Sequence, residues 1–363
     1  MTTDVVYWGV NRGAAPVVCA TDAWNGLAFN AHQIWACRRA ELTAYAETPF
    51  RCTNGRRATM AHIRTLPPRS HGLQRMSAIG RHLIDELVPQ LRTAPPETRL
   101  ALVLCLSDRF AAANLKHFSQ QRSALEKGFL DQLKQQGFTP LLHTQARGHS
   151  ALAFGMIEAS AALSSRAIDA AIVGGIDTYY DPEVIEELLF QERLFDGENL
   201  DSFIPGEGGA FFLLTRPEVA RRARWEQLAR MEAAATDQEP AAMFSEAPCQ
   251  GLGLSRAMGA LAERVRQEKR SIDWWISDLT NEDYRVREWQ LALPRASAGV
   301  SGEKSTMEFL PGLLGDLGAA TMPTAVAIAA QGFLRGDPDA KTCLIAGSGT
   351  NADRGAILLG RIE

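Results

Sequence analysis

Short apolar runs recur along the chain at residues 5–8, 100–106, 170–173, 210–214, 274–276, 342–346 and 356–359. Runs of this length predict buried strands of a parallel or mixed sheet. Between them the apolar positions return at helical spacing. Residues 75–91 place Met76, Ile79, Leu83, Leu87 and Leu91 on one face, with Pro89 expected to kink or end the helix in its last turn. Residues 254–267 do the same with Leu254, Met258, Leu261 and Val265, and residues 122–135 are a third amphipathic candidate. Residues 151–163 are apolar all round apart from Glu158 and Ser160, which predicts a helix lying between layers. Strands alternating with helices predict a layered α/β fold.

Two stretches share one pattern. Residues 168–175 end in Gly174-Gly175 and lead, after an excursion, to the run 208–214; residues 341–347 end in Gly347 and lead to 355–360. Each reads as a strand, a glycine-rich turn and a second strand, which predicts an internal duplication with the second copy starting near Ser271. The polar, proline-containing stretch 234–250 is the expected linker. These boundaries give an N-terminal half at 1–235, a connecting helical segment at 236–270 and a C-terminal half at 271–363.

A length of 363 residues suffices for two core-forming units or one large domain of two halves. The net charge is −4, from 38 basic and 42 acidic residues with no block of one sign, which argues against nucleic acid or an anionic membrane as the main partner. The start, Met1-Thr2-Thr3-Asp4-Val5, has no basic region followed by a long apolar run, so no signal peptide is expected. No apolar run reaches the roughly 18 residues of a membrane span. Cys19, Cys37, Cys52, Cys105, Cys249 and Cys343 are scattered, with no Cys-x-x-Cys pair. That spacing predicts reduced thiols in a cytoplasm, neither disulfides nor a zinc site. No cofactor or metal is expected.

A series of motifs in the family's order resembles the β-ketoacyl synthases of the thiolase superfamily, over almost the whole chain. Residues 148–163, opening with Gly148-His149-Ser150, resemble the nucleophile turn and the buried helix after it. Residues 168–175 resemble the family's Asp-x-Ala-x-x-Gly-Gly strand. Leu194-Phe195-Asp196 and Ile204-Pro205-Gly206-Glu207-Gly208-Gly209-Ala210 resemble Pro-Phe-Asp and the Gly-Glu-Gly-Ala turn. Gly315-Asp316-Leu317-Gly318-Ala319-Ala320 resembles Gly-His-x-x-Gly-Ala-Ala, one residue short, and residues 348–359 resemble the Gly-Gly-Thr-Asn-Ala-His close. The resemblance implies two ketosynthase-like βαβαβαββ halves in a five-layered α-β-α-β-α arrangement. It also implies a homodimer joined through an edge strand, here within residues 138–146.

Ketosynthase chemistry, as the resemblance implies it, needs a cysteine thiolate at the amino end of the buried helix, stabilised by the helix dipole and backbone N–H groups. It also needs two histidines from the C-terminal half. Counting back from Gly174-Gly175 puts the nucleophile position at His149, or at Ser150 if the turn differs by one. No cysteine lies between Cys105 and Cys249. The histidines stand at 32, 62, 71, 82, 117, 143 and 149, and none follows. Neither family histidine is therefore present: the second falls on Asp316, the first in or near residues 278–282. The gate phenylalanine falls on Gly347 or a neighbour. The expectation is a pseudoenzyme that does not condense malonyl and acyl thioesters.

The vestigial-site candidates are His149, Ser150, Asp316, Asn281 and Glu282. Ser150 is either a helix cap or a nucleophile, served by His143 as base with Asp316 or Glu282 orienting it. His149 is either an anion binder or base in the inherited cavity, or a hydrogen-bonded structural histidine. Asp316 and Glu282 are either a carboxylate pair lining a cavity or caps and loop bonds. Arg285 or Arg287 holds an anionic ligand, or the 281–285 stretch is a solvated loop. Glu207 is expected to accept backbone N–H bonds, and Trp274-Trp275 to pack in the core.

Three functions follow. The first is a degenerate ketosynthase relative acting as a binding, adaptor or chaperone-like protein. Gly148-His149-Ser150 with residues 174–182 is also similar to the thiolase-like proteins found with bacterial type VI secretion effector genes, which points to an effector as partner. The second is an acyltransferase or thioester hydrolase that uses Ser150 and binds an acyl thioester. The third is a non-condensing subunit that pairs with an active ketosynthase.

Overall fold

The computed structural model describes residues 5–111 and 116–363, so the first four residues of the start read above lie outside the described residues. In chain order the strands are β1 (Val6–Gly9), β2 (Val17–Asn25), β3 (Ala46–Arg51), β4 (Arg57–Met60), β5 (Leu100–Leu106), β6 (Leu141–Ala146), β7 (Ala170–Thr178), β8 (Glu207–Thr215), β9 (Ala229–Gln238), β10 (Ile272–Ser277), β11 (Ser301–Phe309), β12 (Thr342–Ser348) and β13 (Asp353–Arg361). The helices are α1 (Ala31–Arg39), α2 (Gly72–Leu91), α3 (Lys116–Gln135), α4 (Ala151–Ser164), α5 (Pro182–Phe190), α6 (Pro217–Ala223), α7 (Leu252–Gln267), α8 (Asp283–Ser297), α9 (Pro311–Leu314) and α10 (Thr321–Arg335).

The main sheet runs β11-β10-β12-β13-β9-β2-β8-β7-β5-β6, with β1 added on β9. Cut between β9 and β2, this order repeats: each copy reads third, second, fourth, fifth and first strand. β5 is parallel to β6 and β7, and β10 is parallel to β11 and β12. The last two strands of each copy pair antiparallel. α2, α3 and α4 hold in the first copy the places that α7, α8 and α10 hold in the second. The copies are joined by a short pairing of Val17 with Arg230 and Val18 with Ala229.

Strand alternation builds the layers, because successive side chains leave opposite faces. In β5, Ala101, Val103 and Cys105 face the central core with α4 and α10, while Leu100, Leu102, Leu104 and Leu106 face α2 and α3. In β12, Cys343 and Ile345 join the same centre, while Leu344 and Ala346 pack beneath α7 and α8. Trp274 and Trp275 divide in the same way between the two cores. The result is two sheet halves with helices outside each and a helix pair between them.

The duplication starts earlier than the sequence pattern suggested. The second copy opens with β9 at Ala229, and residues 236–270 hold the end of β9 and then α7, not a connecting segment. β9 reads Ala-Arg-Met-Glu-Ala-Ala-Ala-Thr-Asp-Gln and lacks the bulky residues that mark a strand. Small residues suit its place: Ala234 lies in the central core, while Ala233 and Ala235 pack in the α7–α8 core. α2 continues past Pro89 to Leu91. Among the described residues no helix is long and apolar enough to cross a membrane.

Candidate functional site

The site forms where the amino ends of α4 and α10 meet the ends of β7 and β10. Gly148 turns the chain with φ +59°, a left-handed conformation that favours glycine, and delivers His149 and Ser150 to the start of α4. Gly318 makes the matching turn before α10 with φ +54°, and a Cβ there would fall 2.2 Å from Asp177 Oδ2. Both turns bring side chains from the two copies into one buried cluster.

His149 is its centre. Its Nε2 lies 2.6 Å from Asp316 Oδ1, which also accepts the Gly318 N–H at 2.8 Å. Arg285 Nη2 approaches the imidazole at 3.2 Å. Arg285 is fully buried, donates from Nη1 to Asp278 Oδ2 at 3.0 Å, and lies 3.5 Å from Glu282 and 3.9 Å from Asp316. Glu282 in turn accepts from Arg193 Nε at 2.6 Å and Thr280 Oγ1 at 3.0 Å. Asp278 also accepts the Ser348 N–H at 2.7 Å and Trp289 Nε1 at 3.3 Å. Two guanidinium groups thus face three carboxylates, with the imidazole against the third.

Burial alone would raise the Asp316 carboxyl, but His149, Arg285 and the Gly318 N–H outweigh it and hold the group well below the usual carboxylate range. For Asp177, beside the cluster, burial wins and the carboxyl is raised, although Arg109 donates to it at 2.8 Å and Ala319 N–H at 3.0 Å.

His149 borders an open cavity of about 760 Å³ that reaches Arg109, Arg147, Asp177, Arg193 and Asn351. Most of its cations are already engaged. Arg109 is on Asp177, Arg147 on Asp353 at 2.9 Å, and Arg193 on Glu282. No cysteine and no further histidine lines this cavity among the described residues. Burial pushes the Cys19 thiol up to about 12, and raises the thiol of Cys105, which lies in β5 against α4.

No family model matches the sequence, and neither does any curated protein. Solved structures do match. One chain of a complex between a type II polyketide synthase acyl-carrier protein and its ketosynthase has a TM-score of 0.77 at 11% identity, over 97% of this chain and 100% of that chain. The ishigamide ketosynthase/chain length factor gives 0.75 at 13% identity over 96% and 100%. The ketosynthase from module 6 of the bacillaene synthase of Bacillus subtilis 168 gives 0.72 at 12% over 96% and 72%.

The chain has the fold of these ketosynthases. Within this fold, His149 lies at the amino end of the central helix, and Asp316 faces it from the second copy. The other candidates separate. Ser150 is fully buried, and its hydroxyl donates to the Arg147 carbonyl at 3.1 Å instead of capping α4. It does not line the cavity, and His143 is exposed on β6. Asp316 and Glu282 are not a carboxylate pair; they flank Arg285. Asn281 is exposed and lines a separate cleft with Phe203, Leu279 and Phe309. Arg285 is committed to internal partners, and Arg287 donates to the Cys249 carbonyl at 3.1 Å. Gly347 has no room for a side chain, since a Cβ would meet the His149 carbonyl at 2.6 Å. Glu207 accepts the Ile63 N–H at 2.6 Å and pairs with Arg75. Sequence reasoning missed Arg193 and the Arg109–Asp177 pair, although Asp177 lies within the 174–182 stretch.

Proposed function

We propose that this chain is a non-condensing, ketosynthase-like pseudoenzyme that works by binding another protein. The observation that carries the reading is the engagement of His149 by Asp316 and Arg285 where a condensing enzyme needs a free thiolate. A nucleophile must be reachable and positioned beside a base. Ser150 has no exposed surface and no imidazole bonded to it. The ionic cluster fills the catalytic position with groups bonded to one another, although Arg285 Nε and Asp316 Oδ2 make no hydrogen bond, so what remains for function is the surface and the outer cavity.

Dimerisation belongs to the proposal, and the contrast between the two copies supports it. β11, the edge of the second copy, carries the exposed Glu303 and the adjacent Lys304, charges that discourage pairing. β6, the equivalent edge of the first copy, reads Leu-Leu-His-Thr-Gln-Ala, with Leu141 58% exposed. α10 is buried from Thr321 to Ala330, whereas Phe154 and Ile157 of α4 stay half-buried beside β6. An uncharged edge next to a half-covered apolar stripe suits a second copy of the chain. Six free cysteines, five of them buried, fit the reducing cytoplasm as its compartment.

A secretion-system effector is the first partner to test, from the resemblance of residues 148–150 and 174–182. A complete ketosynthase is the second, since one similar structure is a ketosynthase/chain length factor. The competing enzyme reading is an acyltransferase through Ser150. Intact-mass measurement after incubation with acyl-CoA and acyl-carrier thioesters decides between them. No adduct is expected. A stable acyl adduct that disappears in Ser150→Ala would overturn the pseudoenzyme.

A further inference from the structure

A second buried polar cluster, outside the His149 site, carries a charge that its own side chains do not balance. It lies where the loop after β9 meets α7, α8 and β13. Glu239, Cys249 and Glu288 are all buried, and each places one ligand atom within 4.8 Å of the others. Glu288 Oε1 accepts from Arg354 Nε at 2.6 Å and Oε2 from Ser348 Oγ at 2.6 Å. Glu239 Oε2 accepts the Gly253 N–H at the start of α7 at 2.7 Å. Its Oε1 is buried with no partner. Arg354 commits its remaining donors to the Asn351 and Asp353 carbonyls and the Tyr284 hydroxyl.

One guanidinium therefore serves two buried carboxylates, and one carboxylate oxygen has nothing to accept. An unpaired polar atom in such a place is costly, and a buried charge is normally paired or bound to a metal. A cation would remove both defects. The donor set selects its class. A thiol with two carboxylates suits zinc-like divalent transition metals, whereas magnesium and calcium take six or more oxygen ligands.

We propose that Cys249, Glu239 through Oε1, and Glu288 bind one divalent transition-metal ion of the zinc class, which fastens the loop 239–251 to α8. As the Cys249 Sγ–metal bond forms, the thiol proton leaves to solvent. The thiolate and two carboxylates then balance the metal and Arg354. Three protein ligands leave the fourth tetrahedral position to a water molecule. This assignment is independent of the reading of the His149 cluster.

The test uses the full chain stripped of metal with a chelator and titrated with Co²⁺. The expected result is a thiolate-to-cobalt charge-transfer band in the near ultraviolet, saturating at one ion per chain and displaced by Zn²⁺. The band should be lost in Cys249→Ser and the affinity should fall at least tenfold in Glu239→Gln. Zn²⁺ should raise the melting temperature of the wild type, and Ca²⁺ and Mg²⁺ should not. Absence of the band in the wild type overturns the proposal even where neither variant folds. So does a band retained in Cys249→Ser, or equal stabilisation by Ca²⁺.

Discussion

Replacing Arg285 with methionine removes the guanidinium that lies 3.0 Å from Asp278, 3.5 Å from Glu282 and 3.9 Å from Asp316. Methionine keeps most of the stem's volume, so the perturbation is chiefly electrostatic. Three carboxylates, none more than 3% exposed, then share Arg193 as the guanidinium nearest to them. Breaking a buried pair in this way costs about 3–5 kcal/mol, because the abandoned charge stays buried. That is a large share of a typical folding free energy of about 5–15 kcal/mol. Urea unfolding followed by tryptophan fluorescence measures it, and Trp289, bonded to Asp278, reports from inside the cluster. The double variant Arg285→Met with Asp278→Asn removes one orphaned charge. It should regain stability, departing from additivity by more than about 0.5 kcal/mol. A loss for the single variant below about 1 kcal/mol, the range of solvated pairs, would show that water screens the cluster and would remove the argument that it is sealed.

The Asp316 carboxyl is depressed by folding, so its contribution is complete above its unfolded value of about 3.9 and is lost as pH falls through the lower folded value. Wild type should therefore lose more stability than Asp316→Asn between neutral pH and about pH 3; parallel acid limbs would contradict the assignment. Met156→Ala, at a fully buried position of α4, should cost about 2–5 kcal/mol. Phe154→Ala and Ile157→Ala, on the half-covered side, should cost less, and equal losses at all three would mean that the helix has no open side. Leu141→Lys should convert the proposed homodimer to monomer in light scattering at micromolar concentration, and a dimer that survives it does not form through β6.

Long apolar runs were legible because burial on both faces leaves nothing polar to interrupt them. Residues 100–106 match β5 end to end, and the runs at 170, 210, 342 and 356 fall inside β7, β8, β12 and β13. β11 was invisible since an edge strand keeps polar residues, and β9 since alanine carries no strand signature. Motif order singled out His149 and Asp316 as candidates but did not state their contact. The roles of Arg285 and Arg193 did not follow from it, because a buried arginine is written with the same letter as a solvated one. Its burial depends on carboxylates supplied by strands and loops distant in sequence. The half-covered side of α4 was likewise missed: thirteen residues of mostly apolar sequence do not say which side a neighbour leaves bare.

The cluster's place in the duplication gives it a structural task of its own. His149 comes from the first copy, Arg193 from the excursion between β7 and β8, and Asp278, Glu282, Arg285 and Asp316 from the second copy. The pairing of β2 with β9 spans two residue pairs, and β1 adds four more on β9. The cluster ties the two amino ends of the central helices across the seam between the copies. A free thiolate and two histidines at this junction would have to leave room for substrate. Paired arginines and carboxylates need no such room, and they hold α4 and α10 in register. Charge pairing there is expected to set the relative position of the copies, and with it the shape of the cavity beside His149. Substitutions in the cluster should accordingly alter stability and cavity together, while substitutions on β6 alter assembly alone.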